Sequence, residues 1–230
     1  MIPLHDDNPT DLTPLVTFTL IGLCVLVFMW QLTLGGDGQH VAYSLGVIPA
    51  VLFHHGALTA DLDVVPAWVT VFTSMFLHGG WMHLIGNMLY LWIFGNNVED
   101  CMGRARFIVF YLLCGVAAVF AQALADTTSH VPMIGASGAI SGVLGAYLLL
   151  HPHARILVAI PLGLFLHTAR LPAAWVLVGW FVLQLVSSIM ASNEGGGVAW
   201  GAHIGGFIAG VALIPLFRRK GVRLFVPFVR

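Results

Sequence analysis

The stretch Gly135-Ala136-Ser137-Gly138-Ala139-Ile140-Ser141-Gly142-Val143-Leu144-Gly145 carries a serine into an apolar run whose small residues recur every four positions. Gly138 and Gly142, like Ser141 and Gly145, stand about one helical turn apart, the spacing at which membrane helices approach backbone to backbone. A second stretch repeats the device around a histidine: Gly201-Ala202-His203-Ile204-Gly205-Gly206, followed by Gly210. Two such segments predict a pair of closely packed helices, each bringing one polar side chain into a bundle.

Composition points to lipid as the solvent of that bundle. Of 230 residues, 59% are hydrophobic and 8% charged, whereas soluble chains carry roughly a quarter charged residues. So few polar groups cannot cover a globular surface in water, but a bilayer can cover an apolar one. A net charge of −1 offers no nucleic-acid interface. Cys24, Cys101 and Cys114 lack zinc-ligand spacing and are too few for a disulfide framework. His54-His55 and His151 with His153 have no acid or cysteine to complete a metal site. The opening residues include Asp6, Asp7 and Asp11, unlike a cleaved targeting signal. A short chain of this kind is expected in a prokaryotic plasma membrane.

The apolar runs predict an all-α polytopic protein with six spans, at about 15–34, 81–95, 107–125, 137–151, 173–191 and 202–217. These make one bundle, 15–217, between a short tail (1–14) and a basic tail (218–230). The connection 35–67 is too mixed to span, and His78-Gly79-Gly80 delays the second helix to Trp81. Glu194-Gly195-Gly196-Gly197 reads as a flexible outer loop. Six crossings collect all nine Lys and Arg residues on one side, while the opposite loops carry Asp37, Asp61, Asp63, Asp126 and Glu194. The positive-inside rule makes the first side, with both termini, cytoplasmic. Trp68, Trp81, Trp175 and Trp200 read as interfacial anchors.

Polar side chains inside these spans need partners away from lipid. Ser137 lies 14 residues before His151, His83 lies 14 before Asn97, and His203 lies 15 before Arg218. At about 1.5 Å per residue, all three stand roughly 21–23 Å above the cytoplasmic face. Three helices thus carry polar groups at one level. A serine hydroxyl becomes a nucleophile when an adjacent neutral histidine accepts its proton. Ser137 also begins a helix, where its N–H is free to hold an oxyanion. His83 and Asn87, four apart on one face, supply two further donors. No acidic residue lies in the spans to make a third triad member, so a Ser137–His203 dyad is the economical reading. A helix-capping serine or a structural histidine would explain either residue alone; the shared depth favours catalysis.

In these residues the chain resembles the rhomboid intramembrane serine proteases, over about 15–217. The resemblance rests on His78 with His83-Leu84-Ile85-Gly86-Asn87-Met88, on Glu99, Gly103 and Arg106-Phe107, and on Gly135-Ala136-Ser137-Gly138 and Ala202-His203-Ile204-Gly205-Gly206. It implies Ser137 as nucleophile, His203 as general base and acid, and His83 and Asn87 as oxyanion donors. It implies a partly embedded first loop, no metal or cofactor, and transmembrane protein substrates cut near their outer end after a small residue. His78 is expected to be structural, and Glu99 and Arg106 to form a structural loop contact. One departure stands out. Many bacterial members place a tyrosine four residues after the nucleophile, stacked on the histidine; this chain has Ser141 there, leaving Tyr147 or Trp200 as candidates to orient His203. The rival readings are a catalytically inactive rhomboid-like binder, which retention of Ser137 and His203 disfavours, and a transporter, which should carry charged residues within its spans.

Overall fold

The computed structural model describes residues 1–35, 38–162, 165–190 and 199–225. The expected outer loop Glu194-Gly197 lies outside them. A short strand β1 (Ile2–Asp6) precedes helix α1 (Leu15–Thr33). Three short helices follow: α2 (Gly38–Leu45), α3 (Pro49–Leu52) and α4 (Ala67–Thr73), the last running into a 3₁₀ turn at Ser74–Phe76. Then come α5 (Trp81–Met102), α6 (Arg104–Ala123) and α7 (Ser137–Leu150). A hairpin of β2 (Arg155–Leu162) and β3 (Phe165–Pro172) leads to α8 (Ala173–Met190) and α9 (Trp200–Phe217).

Among the described residues, four helices are long and apolar enough to cross a membrane: α1, α6, α8 and α9. Helix α7, at 14 residues, is only about 21 Å long. It runs through the middle of the bundle, and every residue from Gly138 to Tyr147 is buried. Its closest neighbour is α9. A β-carbon on Gly206 would overlap the Gly138 carbonyl, and one on Gly210 would overlap that of Gly142. The small residues therefore bring the two backbones into contact, as their spacing predicts.

Helix α5 begins at Trp81 but continues to Met102, past the expected end near 95. Its last turns stay helical because Asn97, Val98, Glu99 and Met102 are buried rather than forming a loop. Gly103 then reverses the chain at φ +80°, a left-handed conformation that glycine adopts without a side-chain clash, so α6 starts at the next residue.

The all-α expectation needs correction. At the end of the bundle where the arginines gather, β1, β2 and β3 form an antiparallel sheet in that order. Ile156 and Val158 of β2 are fully buried and join the helical core, which is what an alternating apolar strand can do and a polar loop cannot. Residues 1–14 are likewise no free tail. Asp7 N–H donates to the Arg155 carbonyl (3.0 Å), Asn97 Nδ2 donates to the Asn8 carbonyl (2.9 Å), and Arg170 pairs with Asp7 (3.1 Å). Glu99 and Arg106 are both structural but do not meet as one contact. Glu99 accepts from Val16 N–H (3.0 Å), Thr17 N–H (2.8 Å) and the Thr17 hydroxyl (2.8 Å), capping α1, while Arg106 donates to the Arg218 carbonyl (3.1 Å).

Candidate active site

The connection between α6 and α7 is fastened at three points before it delivers Ser137, the first where Ala50 N–H donates to the Ser129 carbonyl (3.0 Å). Val47 and Met133 exchange backbone hydrogen bonds (3.0 and 2.7 Å), and Gly135 N–H donates to the Ser74 carbonyl (2.8 Å). Gly135 itself has φ +122°, again a glycine conformation. A side chain there would meet a second obstacle, because its β-carbon would stand 2.7 Å from His83 Nε2. Ser137 follows as the first residue of α7, where the first-turn N–H groups have no helical acceptor.

Across the α7–α9 contact, Ser137 Oγ lies 2.8 Å from His203 Nε2. The other ring nitrogen, His203 Nδ1, lies 2.7 Å from Gln184 Oε1 on α8. An amide oxygen can only accept, so the ring proton sits on Nδ1 and leaves Nε2 to accept from the Ser137 hydroxyl. Trp180 and Trp200 flank the imidazole, with ring centroids 5.9 and 6.0 Å away, the second edge-on. Trp200 is thus one of the two aromatics proposed from sequence, and it does reach His203. Tyr147 does not take that role. It sits ten residues along α7, packs edge-on to Phe94, and donates its hydroxyl to Asp6 Oδ2 (2.8 Å). Ser141 is also occupied, donating to the Ser137 carbonyl one turn back (2.6 Å).

His83 and Asn87 face this region from α5. Gly79 N–H donates to His83 Nδ1 (3.3 Å), which places the remaining ring proton on Nε2, the nitrogen beside Gly135. Asn87 is buried, and its Nδ2 has no hydrogen-bond partner among the described residues. His78 packs its ring edge-on to His83 (centroids 5.2 Å) but bonds elsewhere: its N–H donates to Gln31 Oε1 (3.0 Å), Gln31 Nε2 donates to its carbonyl (3.3 Å), and its ring Nδ1 donates to the Phe76 carbonyl (3.2 Å). Ser137 also borders a cavity of ≈ 30 Å³, lined by Met75, Gly115, Ala118, Met133 and Gly135 among others. No cluster of three metal-ligating side chains occurs among the described residues.

Gln184 is the residue of this group that reasoning from sequence passed over. It is a lone amide in the apolar run of α8, so the rule that flagged His83 and Asn87 applies to it equally.

The family model of the Rhomboid domain matches residues 66–220. Rhomboid protein 1, mitochondrial, of Saccharomyces cerevisiae is 29% identical over 209 residues, covering 85% of this chain and 51% of its own length. Rhomboid protease GluP of Bacillus subtilis is 32% identical over 212 residues, covering 92% of this chain and 37% of its own length. Rhomboid-like protein 11, chloroplastic, of Arabidopsis thaliana is 30% identical over 164 residues, covering 67% and 54%. The chain therefore spans between about a third and about half of these relatives. They come from mitochondrial, bacterial and chloroplast settings, so kinship does not single out one membrane.

Proposed function

The chain belongs to the rhomboid family of membrane proteins, and from that premise we propose that it is an intramembrane serine endopeptidase acting through Ser137 and His203. The observation that carries the reading is the 2.8 Å approach of Ser137 Oγ to His203 Nε2, made inside an apolar bundle between two helices whose glycines allow it. As the Ser137 hydroxyl attacks a scissile carbonyl, its proton passes to His203 Nε2. Negative charge then develops on the former carbonyl oxygen. The Ser137 N–H, His83 Nε2–H and Asn87 Nδ2 are the donors offered to it, and Asn87 has no competing partner among the described residues. Collapse of this adduct breaks the C–N bond, and His203 returns its proton to the departing amine. The Ser137 ester that remains is hydrolysed by a water that His203 activates in turn.

The substrate in this reading is a transmembrane protein, cut near the outer membrane face where its helix can unwind. The small cavity beside Ser137 suits a residue with a small side chain. The topology in this reading has six crossings. Helices α5 and α7 complete the four longer apolar ones, and the end bearing the arginines and the sheet faces the cytoplasm. Purified protein reconstituted with a model transmembrane substrate tests the chemistry. Ser137→Ala and His203→Ala should each lower the cleavage rate by about 10⁴–10⁶-fold. Full cleavage by both variants, or fluorophosphonate labelling that survives Ser137→Ala, would overturn it.

A further inference from the structure

In the protease reading, on which this step rests, His203 must present a bare Nε2 to Ser137 and so must keep its proton on Nδ1. Nothing in α9 itself secures that tautomer. Imidazole has two chemically similar nitrogens, and the one that holds the proton is set by the partner of the other. The partner here is on a different helix. Gln184 is 7% exposed and is the one residue of α8 beyond Leu177 that is buried, whereas Val178, Val182, Leu183, Val186 and Ile189 are all exposed. Its amide oxygen lies 2.7 Å from His203 Nδ1. Trp180, one turn earlier on the same helix face, sets its ring beside the imidazole at 5.9 Å. The ring is thus held from α8 in both respects: an acceptor fixes its proton, and an indole limits its tilt.

We propose that Gln184 is a positioning residue that completes a Ser137–His203–Gln184 relay, fixing the Nδ1–H tautomer of His203 and so its competence as a base. This supplies what Ser141 does not. Ser141 spends its hydroxyl on the Ser137 carbonyl, so the orienting group comes from the neighbouring helix instead of from α7. The bond also helps seat the far half of α8, together with the stacking of Phe181 on Phe207 at 4.5 Å. Because the His203–Gln184 bond joins α9 to α8, His203 is correctly held while α8 rests against α9.

Three measurements test the assignment. The first reads the wild-type protein: with ¹⁵N-labelled histidine, the His203 signal, assigned by its loss in His203→Gln, should show a proton on Nδ1, and a proton on Nε2 would overturn the proposal. Second, Gln184→Leu keeps the approximate volume but removes the acceptor. It should lower kcat and the fluorophosphonate labelling rate by about 10–100-fold, with KM within about twofold. Third, Gln184→Glu retains an acceptor oxygen whether ionised or protonated and should return kcat to within about fivefold of wild type. An unchanged rate for Gln184→Leu, a loss carried wholly by KM, or a Gln184→Glu variant as slow as Gln184→Leu would each overturn it. Failure of the protease reading looks different: wild-type protein would neither cleave nor label at Ser137, whatever the tautomer of His203.

Discussion

The two ends of α7 treat their principal buried polar groups differently. At the Leu150 end, the strongest acceptors are met, although Asn97 Oδ1 and Arg218 Nε have no hydrogen-bond partner among the described residues. The Tyr147 hydroxyl donates to Asp6, and the nearby Glu99 carboxylate accepts three hydrogen bonds from the first turn of α1. At the Ser137 end, Asn87 is buried with a donor that has no partner among the described residues, the first-turn N–H groups have no helical acceptor, and Ser137 meets a histidine that is itself held from another helix. Buried donors without partners cost free energy, so a fold retains them where something other than stability is served. Fully bonded carboxyl groups mark the end that holds the bundle together; the open Asn87 donor lies at the end proposed to do chemistry. Substitutions at the two ends should therefore separate cleanly into effects on rate and effects on stability.

The largest such effect after loss of the dyad is expected at Asn87. Asn87→Ala removes an oxyanion donor and should lower kcat by about 10²–10³-fold. It should not lower the thermal unfolding temperature, because the Nδ2 lost has no hydrogen-bond partner among the described residues. A large drop in unfolding temperature with kcat preserved would place Asn87 with the structural end and remove it from the site.

The site was more legible than the scaffold beneath it, for a physical reason. Ser137 and His203 stand in short local patterns whose glycines announce the close approach that joins them, and depth along a helix can be counted from sequence. Gln184 was visible by the same intramembrane-polarity rule, yet it sits in no motif, and its partner is fixed by how α8 docks on α9. The sheet left weaker traces. Pro161 and Pro172 argue against strands in 155–172, and only the pairing pattern shows that Pro161 lies beyond the β1 contact, which ends at Ala159. β1 is five residues long, and its partner lies some 150 residues further along the chain, information that no local periodicity contains.

At the Leu150 end, the next effect is on stability. Glu99→Ala would leave the Val16 and Thr17 N–H groups and the Thr17 hydroxyl without their acceptor in a buried setting. The expected cost is about 2–4 kcal/mol of unfolding free energy. Chemical denaturation in detergent should show it, while the activity of the folded fraction at low temperature stays close to wild type. A proportionate loss of kcat in fully folded protein would instead tie Glu99 to the site and blur the contrast between the two ends.

The smallest effect sharpens the contrast through pH. Burial raises the Asp6 carboxyl from its ordinary 3.8 to about 6, against the opposing influence of the Tyr147 hydrogen bond. A carboxyl with a raised folded pKa binds more protons in the folded state than in the unfolded one between those two values. Its contribution is thus fully present below about pH 4 and is lost as pH rises through 6. The change across that window should be on the order of 3 kcal/mol at most. Asp6→Asn, which stays neutral throughout, should flatten this segment of the stability–pH curve and leave the protein's pH–rate profile for cleavage unshifted. The sheet and the Ser137 end are then energetically separate, since a proton taken up at one end of α7 alters how firmly β1 is held without reaching the base at the other. An equal shift in the pH–rate profile would show that the two ends are coupled through α7, and the division drawn from their hydrogen bonding would fail.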